Sequence, residues 1–151
     1  MKITLDSIAI VYNNVTDKKD TGWRNDISEI IVNPEYQTGL IGLNAFSHII
    51  VIYYLHQAQF DPEKHLVRRP QGRADMPTVG ILSQRAKDRP NPIGVTAVEI
   101  VKIKNNVITV KGLDAINGTP VLDIKPYFPM YDCKTGAKIP DWVESLMKDY
   151  F

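Results

Sequence analysis

The sequence predicts a mainly β protein, a compact β-barrel with a short C-terminal helix, and three observations carry that reading. Apolar residues recur with period two or in short continuous runs, Pro, Gly and Asn punctuate those runs, and a helix-start pattern is confined to the last dozen residues. Many short strands with one helix favour a barrel, because closure is the usual way to remove exposed sheet edges. A chain of 151 residues fits one domain spanning 1–151.

Taken in order, Ile3, Leu5, Ile8, Ile10 and Tyr12 mark a first strand, with a bulge near Asp6 where the alternation slips by one residue. Ile27 to Val32 forms a second, closed by Asn33-Pro34. Gly39 to Phe46 reads as a helical turn leading into Ser47 to Leu55, whose unbroken Ile, Val and Tyr content fits a central strand covered on both faces. Val79 to Leu82 is a short apolar strand. Gly94 to Ile103 and Val107 to Val110 meet across Lys104-Asn105-Asn106, a hairpin because Asn tolerates the left-handed backbone that tight turns demand. Val121 to Ile124 gives the last strand, stopped by Pro126. A C-terminal helix opens at Pro140-Asp141-Trp142 and runs through Leu146 and Met147, its proline and aspartate suiting the first turn. Two segments, Thr16 to Asp26 and Gln57 to Pro77, carry no periodicity, and loops this long in a compact domain are commonly functional.

Composition removes several classes of function. A 44% hydrophobic and 23% charged chain can bury a core without staples, and 18 Lys+Arg against 17 Asp+Glu excludes a strongly basic nucleic-acid coat or an acidic tail. Any basic surface must be local. Cys133 is the lone cysteine, which rules out an intramolecular disulfide framework and suits a reducing compartment. The apolar run Ile49 to Leu55 is far short of the ~20 residues a membrane helix needs. No apolar signal core follows Met1-Lys2, so a soluble, cytoplasmic protein is expected. His48, His56, His65 and Cys133 share no metal-ligand spacing, and no metal is expected. Glycine-rich dinucleotide loops, Walker loops and nucleophile elbows are all missing.

Two motifs remain. Between Gly80 and Gly94, Arg85, Lys87 and Arg89 surround a bend that Pro90 and Pro92 stiffen, holding Arg89 and Asn91 extended. That is preorganisation for a ligand, although a rigid surface connection with solvated cations accounts for the same residues. With Lys64, Arg68, Arg69 and Arg73 upstream, the stretch can present a positive patch to an RNA backbone or stand simply as a wet face. The second motif, Leu113 to Tyr127, sets Asp114 and Asn117 around an Asn-Gly turn, as turn chemistry or as ligand contacts. Asp123 and Lys125 project from one face of a strand and suit a structural ion pair. His56-Gln57 ends the long strand at the mouth of a loop, while Phe46, Tyr53, Tyr54 and Trp142 read as core or interface aromatics.

These residues reach a β-rich domain with a preorganised cationic loop, and no reaction. At this point the chain resembles the TsaA-like, or TrmO, family of S-adenosylmethionine-dependent tRNA methyltransferases. The likeness runs in order through Gly42-Leu-Asn-Ala-Phe-Ser-His48, the strand ending His56-Gln57, the Gly80 to Gly94 segment with its Arg-Pro-Asn-Pro-Ile-Gly, and Leu113 to Tyr127. The resemblance implies a homodimeric β-barrel that binds S-adenosyl-L-methionine. It implies methyl transfer to N6 of N6-threonylcarbamoyladenosine beside the anticodon of threonine tRNA. Matched position by position, His56, Gln57, Arg85, Val95, Thr96, Asp114, Ala115, Ile116 and Asn117 fall where the family holds the cofactor, with Arg89, Pro90 and Asn91 shaping the same pocket. Arg68, Arg69, Arg73 and Lys87 are the RNA-binding candidates. A small metabolite as methyl acceptor, or a noncatalytic RNA-binding barrel, are the alternatives. The family's Pro-Arg-Gln-Pro-like segment is replaced here by Asp20-Thr-Gly-Trp23-Arg24, and its usual Gly-Val-Phe-Ala-Thr-Arg-Ser by Gly80-Ile-Leu-Ser-Gln-Arg85-Ala86. Longer relatives add a C-terminal domain.

Overall fold

Six strands with alternating side chains close on one another in the computed structural model, which describes residues 1–151. The strands are β1 (Ala9–Tyr12), β2 (Ile27–Val32), β3 (His48–Tyr54), β6 (Ile93–Lys104), β7 (Val107–Lys111) and β8 (Pro120–Pro126), joined in the order β1-β2-β7-β6-β3-β8. All neighbours run antiparallel, and β8 returns to β1 through Ala9↔Val121, so the barrel has no free edge. Inward residues at period two fill it: Ala9 and Val11, Ile30 and Val32, Ile49 and Val51, Val98, Ile108 and Val110, and Val121 form one core with Tyr53, Leu113 and Ala115. The β6–β7 hairpin turns as expected at Asn105, whose φ of 54° is left-handed.

Three expectations change. Residues 3 to 7 form no strand, and Ile3 and Leu5 are exposed, because β1 begins only where Ala9 finds partners on both β2 and β8. The strand expected over Ser47 to Leu55 pairs on both edges but is buried on alternate residues only, since a barrel wall has one inner face. The strand expected over Val79 to Leu82 stops at Gly80 and turns into a 3-10 helix at Ile81–Ser83. Its two residues, β5 (Val79–Gly80), pair with β4 (Val67–Arg68) in a small separate sheet. Residues 57 to 77 are accordingly built, not idle: Asp61 caps the short helix α1 (Pro62–His65) by accepting from the Glu63 amide at 3.0 Å, before β4 and a further 3-10 turn at Pro70–Gly72.

The last fifth of the chain is lighter. Asp123 and Lys125 make the expected ion pair at 2.6 Å. After β8 come α2 (Pro129–Asp132) and α3 (Asp141–Met147), and no residue beyond Val121 is buried. Helix α3 is not part of the barrel wall. No helix is long and apolar enough to cross a membrane.

Candidate functional site

A cavity of about 740 Å³ opens where the Gly80 to Gly94 bend meets the corner after β7. The prolines of the bend and the barrel register bring the two elements together: Gly94 pairs with Tyr53 at the end of β3, and Leu113 and Ala115 anchor the corner in the core. Arg85 and Asp114 therefore share one cavity, with Tyr53 and Thr96 between the two motifs in its wall.

The corner is held from behind. Asn13, just past β1, donates through Nδ2 to Ser28 Oγ at 2.9 Å and to the Ala115 carbonyl at 2.8 Å, while its own amide donates to Asn117 Oδ1 at 3.1 Å. Its Oδ1 accepts from the Val15 amide at 2.9 Å. Gly118, at φ 80°, turns the chain back so that its amide reaches the Val11 carbonyl at 2.8 Å. Asn117 Oδ1 is thus taken by the fold.

Three hydroxyls converge on the Asp114 carboxylate. Tyr53 donates to Oδ1 at 2.8 Å, Thr96 donates to the same oxygen, and Tyr150 donates to Oδ2 at 2.6 Å. Burial first, and then the neighbouring carboxylate, push the Tyr53 and Tyr150 hydroxyls well above the usual phenol range. Both are therefore donors at any physiological pH, and Asp114 is the acceptor. Tyr53 can reach it only because Gly94 has no side chain: a Cβ there would stand 2.3 Å from two of its ring carbons.

Six cationic side chains and two carboxylates line the cavity of a chain whose net charge is only +1. Lys19 pairs with Asp26 and lies 4.5 Å over the Trp23 ring; Arg68 pairs with Asp88 at 3.8 Å. Arg89 donates to the Gln84 carbonyl at 3.1 Å, and Arg85 to the Val95 carbonyl. Arg85 and Lys87 have no carboxylate partner, which leaves their charge for an anion. Three polar atoms of lining residues, Trp23 Nε1, Arg68 Nε and Gln84 Oε1, are buried without partners. The Gln84 amide is oriented by two carbonyls, Arg68 and Val79, each 3.1 Å from Nε2, so its oxygen is the free end.

Of the residues expected to hold cofactor, His56, Gln57, Arg85, Arg89, Val95, Thr96, Asp114, Ala115 and Ile116 line this cavity. Asn91 instead lines a separate shallow groove with Ile3, Leu5 and Tyr54, and neither Pro90 nor Asn117 lines the cavity. Proline geometry explains Asn91: the stiff bend directs Arg89 and Asn91 to opposite sides. Among the RNA candidates, Arg68 and Lys87 are at the cavity. Arg69 is turned onto the carbonyls of Ala74 and Met76, and Arg73 grips Asp75 at 2.6 Å. The loop 16 to 26, divergent in wording, supplies Lys18, Lys19, Asp20 and Trp23 to the wall.

Sequence reasoning missed Asn13, Tyr53, Gly94 and Tyr150. Period-two alternation in His48–Tyr54 places Tyr53 inward, and this signal was available. Nothing local marks Tyr150 or Asn13, which meet their partners only through the closed barrel.

Comparison with known proteins places the chain in a family. Residues 15–133 match the family model described as the tRNA-methyltransferase O N-terminal domain. A protein of Pyrococcus abyssi named as a probable S-adenosyl-L-methionine-binding protein is 36% identical over 91% of this chain and 74% of its own length. The human tRNA (adenine(37)-N6)-methyltransferase is 40% identical over 74% of this chain, which spans 24% of that protein. The crystal structure of TrmO from Pseudomonas aeruginosa superposes with a TM-score of 0.76 at 24% identity, covering 94% of this chain and 62% of the other, a likeness of fold.

Proposed function

Because the chain belongs to the family of the tRNA-methyltransferase O N-terminal domain, we propose that it is an S-adenosyl-L-methionine-dependent methyltransferase acting on tRNA, with N6 of N6-threonylcarbamoyladenosine beside the anticodon of threonine tRNA as acceptor. The observation that carries the proposal is the single cavity shared by Arg85 and Asp114. Its fit to the cofactor is physical: a volume of about 740 Å³, in the range of small-molecule sites, with an unpaired cation at one place and a hydroxyl-accepting carboxylate at another.

Bound there, the cofactor's sulfonium supplies an activated methyl carbon that leaves with its bonding electrons retained by sulfur. The chain's own residues would bind and align donor and acceptor, and the proton displaced from the acceptor nitrogen would pass to solvent. Arg85 holds the amino-acid carboxylate, for which its guanidinium is shaped. Asp114 accepts hydroxyls of the sugar, its orientation fixed from the barrel side by Tyr53 and Thr96. Leu55, Ile93, Val95 and Ile116 supply the apolar wall. Lys87 and Arg68, on the same rim, meet the nucleic-acid backbone, a contact that weakens as salt rises.

We place the protein as a homodimer. Ile3, Leu5, Tyr54 and Ile93, exposed apolar side chains that line one groove, support this, and sedimentation across a concentration series checks it.

The experiment is methyl transfer from labelled S-adenosyl-L-methionine to threonine tRNA carrying the threonylcarbamoyl group and to the same tRNA without it. Label confined to the first supports the acceptor proposed. Label in both moves the acceptor to unmodified adenosine, and cofactor binding without label in either turns the reading toward a small metabolite.

A further inference from the structure

Residues 134–151 lie outside the stretch that the family model matches, yet Leu146, Met147, Tyr150 and Phe151 line the cavity. Three hydrogen bonds tie this segment to the site. The amides of Gly22 and Trp23 donate to the carbonyls of Asp149 and Tyr150, each at 3.1 Å, and the Tyr150 hydroxyl donates to Asp114 Oδ2 at 2.6 Å. No residue of the segment is buried, and none belongs to the barrel core.

The two oxygens of Asp114 are occupied in different ways. Oδ1 is taken by Tyr53 and Thr96, both buried in the barrel wall. Oδ2 is taken only by Tyr150, on a C-terminal segment none of whose residues is buried. A phenol and a sugar hydroxyl make the same kind of bond to a carboxylate, O–H donating to charged oxygen.

We propose that Tyr150 is a displaceable stand-in for a ligand hydroxyl: a ligand bearing a ribose-type diol takes Oδ2 of Asp114, and residues 148–151 are released from the cavity. This rests on the cofactor reading above. One hydroxyl is exchanged for another at little net cost, so the latch discriminates by chemistry. A ligand with the diol replaces the lost bond, and one without it leaves the Asp114 oxygen unpaired. The closed segment also lowers the apparent affinity of every ligand by the fraction of molecules that are open.

The test is Y150F, which removes one oxygen atom, compared with the parent protein by calorimetry and amide hydrogen exchange, with melting temperature as the check of folding. The expected result has three parts. Without ligand, the Gly22 and Trp23 amides of Y150F exchange faster than in the parent. S-adenosyl-L-methionine binds Y150F about tenfold more tightly, equivalent to about 1.4 kcal/mol. The same ligand speeds exchange of those amides in the parent. Unchanged or weaker affinity in Y150F overturns the latch and makes Tyr150 a positioning residue for Asp114; so does ligand binding that leaves the two amides protected. Should neither protein bind S-adenosyl-L-methionine, the cofactor reading fails, and adenosine decides the latch alone. Tighter adenosine binding by Y150F sustains it, while equal binding, or none to either protein, ends it.

Discussion

The ring of Tyr53 lies across Gly94 on the neighbouring strand, so close that a Cβ at residue 94 would meet Cε2 and Cζ at 2.3 Å and the hydroxyl at 2.8 Å. The two residues are register partners between β3 and β6, and this contact aims the Tyr53 hydroxyl at Asp114.

Gly94→Ala is accordingly expected to act as overpacking. The alanine methyl forces the ring aside, at a cost of about 1–3 kcal/mol in stability, and withdraws a donor from Asp114. Urea unfolding together with calorimetry of S-adenosyl-L-methionine binding checks both effects. A variant with parental stability and affinity would mean that the ring has room to move.

Alkaline pH should unfold the protein through the same two phenols. The folded-state pKa values of Tyr53 and Tyr150 are raised by burial and by Asp114, so the folded state keeps protons that the unfolded state loses. Their contribution is fully present below about pH 10, the unfolded value, and falls as pH rises beyond it. The limiting slope is about 1.4 kcal/mol per pH unit for each tyrosine. Buried Tyr53 approaches it more nearly than part-exposed Tyr150. Urea midpoints above about pH 10 are expected to fall less steeply for Y53F than for the parent; equal slopes would remove Tyr53 from the linkage.

Asn13→Ala breaks the tie behind the Asp114 corner. Ser28 Oγ and the Ala115 carbonyl each lose a donor, and Val15 loses its acceptor. A loss of about 1–3 kcal/mol is expected from leaving part-buried polar groups unpaired, with weaker cofactor binding because Ala115 adjoins Asp114. Thermal unfolding and calorimetry measure the pair. Destabilisation without any change in affinity would separate the corner's stability from its function.

Arg85→Ala should weaken S-adenosyl-L-methionine binding by about ten- to a hundredfold, the range for a hydrogen bond to a charged group, while the melting temperature stays nearly constant. Arg85 is exposed, and in the ligand-free fold its guanidinium bonds only the Val95 carbonyl. Undiminished affinity would show that the cofactor carboxylate lies elsewhere.

Local chemistry sufficed for the strands and for one turn. Alternation in Ile27–Val32 and the β6–β7 hairpin at Asn105 needed only neighbours in sequence, because period-two patterning and left-handed tolerance are properties of a few residues at a time. The same patterning misled at Ile3 and Leu5, where alternating residues have no strand to pair with. Motif wording brought out Arg85 and Asp114 separately. That they line one cavity, that Tyr53 crosses 61 residues and Tyr150 36 residues to reach the same carboxylate, and that Asn91 turns away from it, were decided by barrel closure. Register between distant strands places these side chains, and register is a property of the whole closed sheet, which no short stretch of sequence contains.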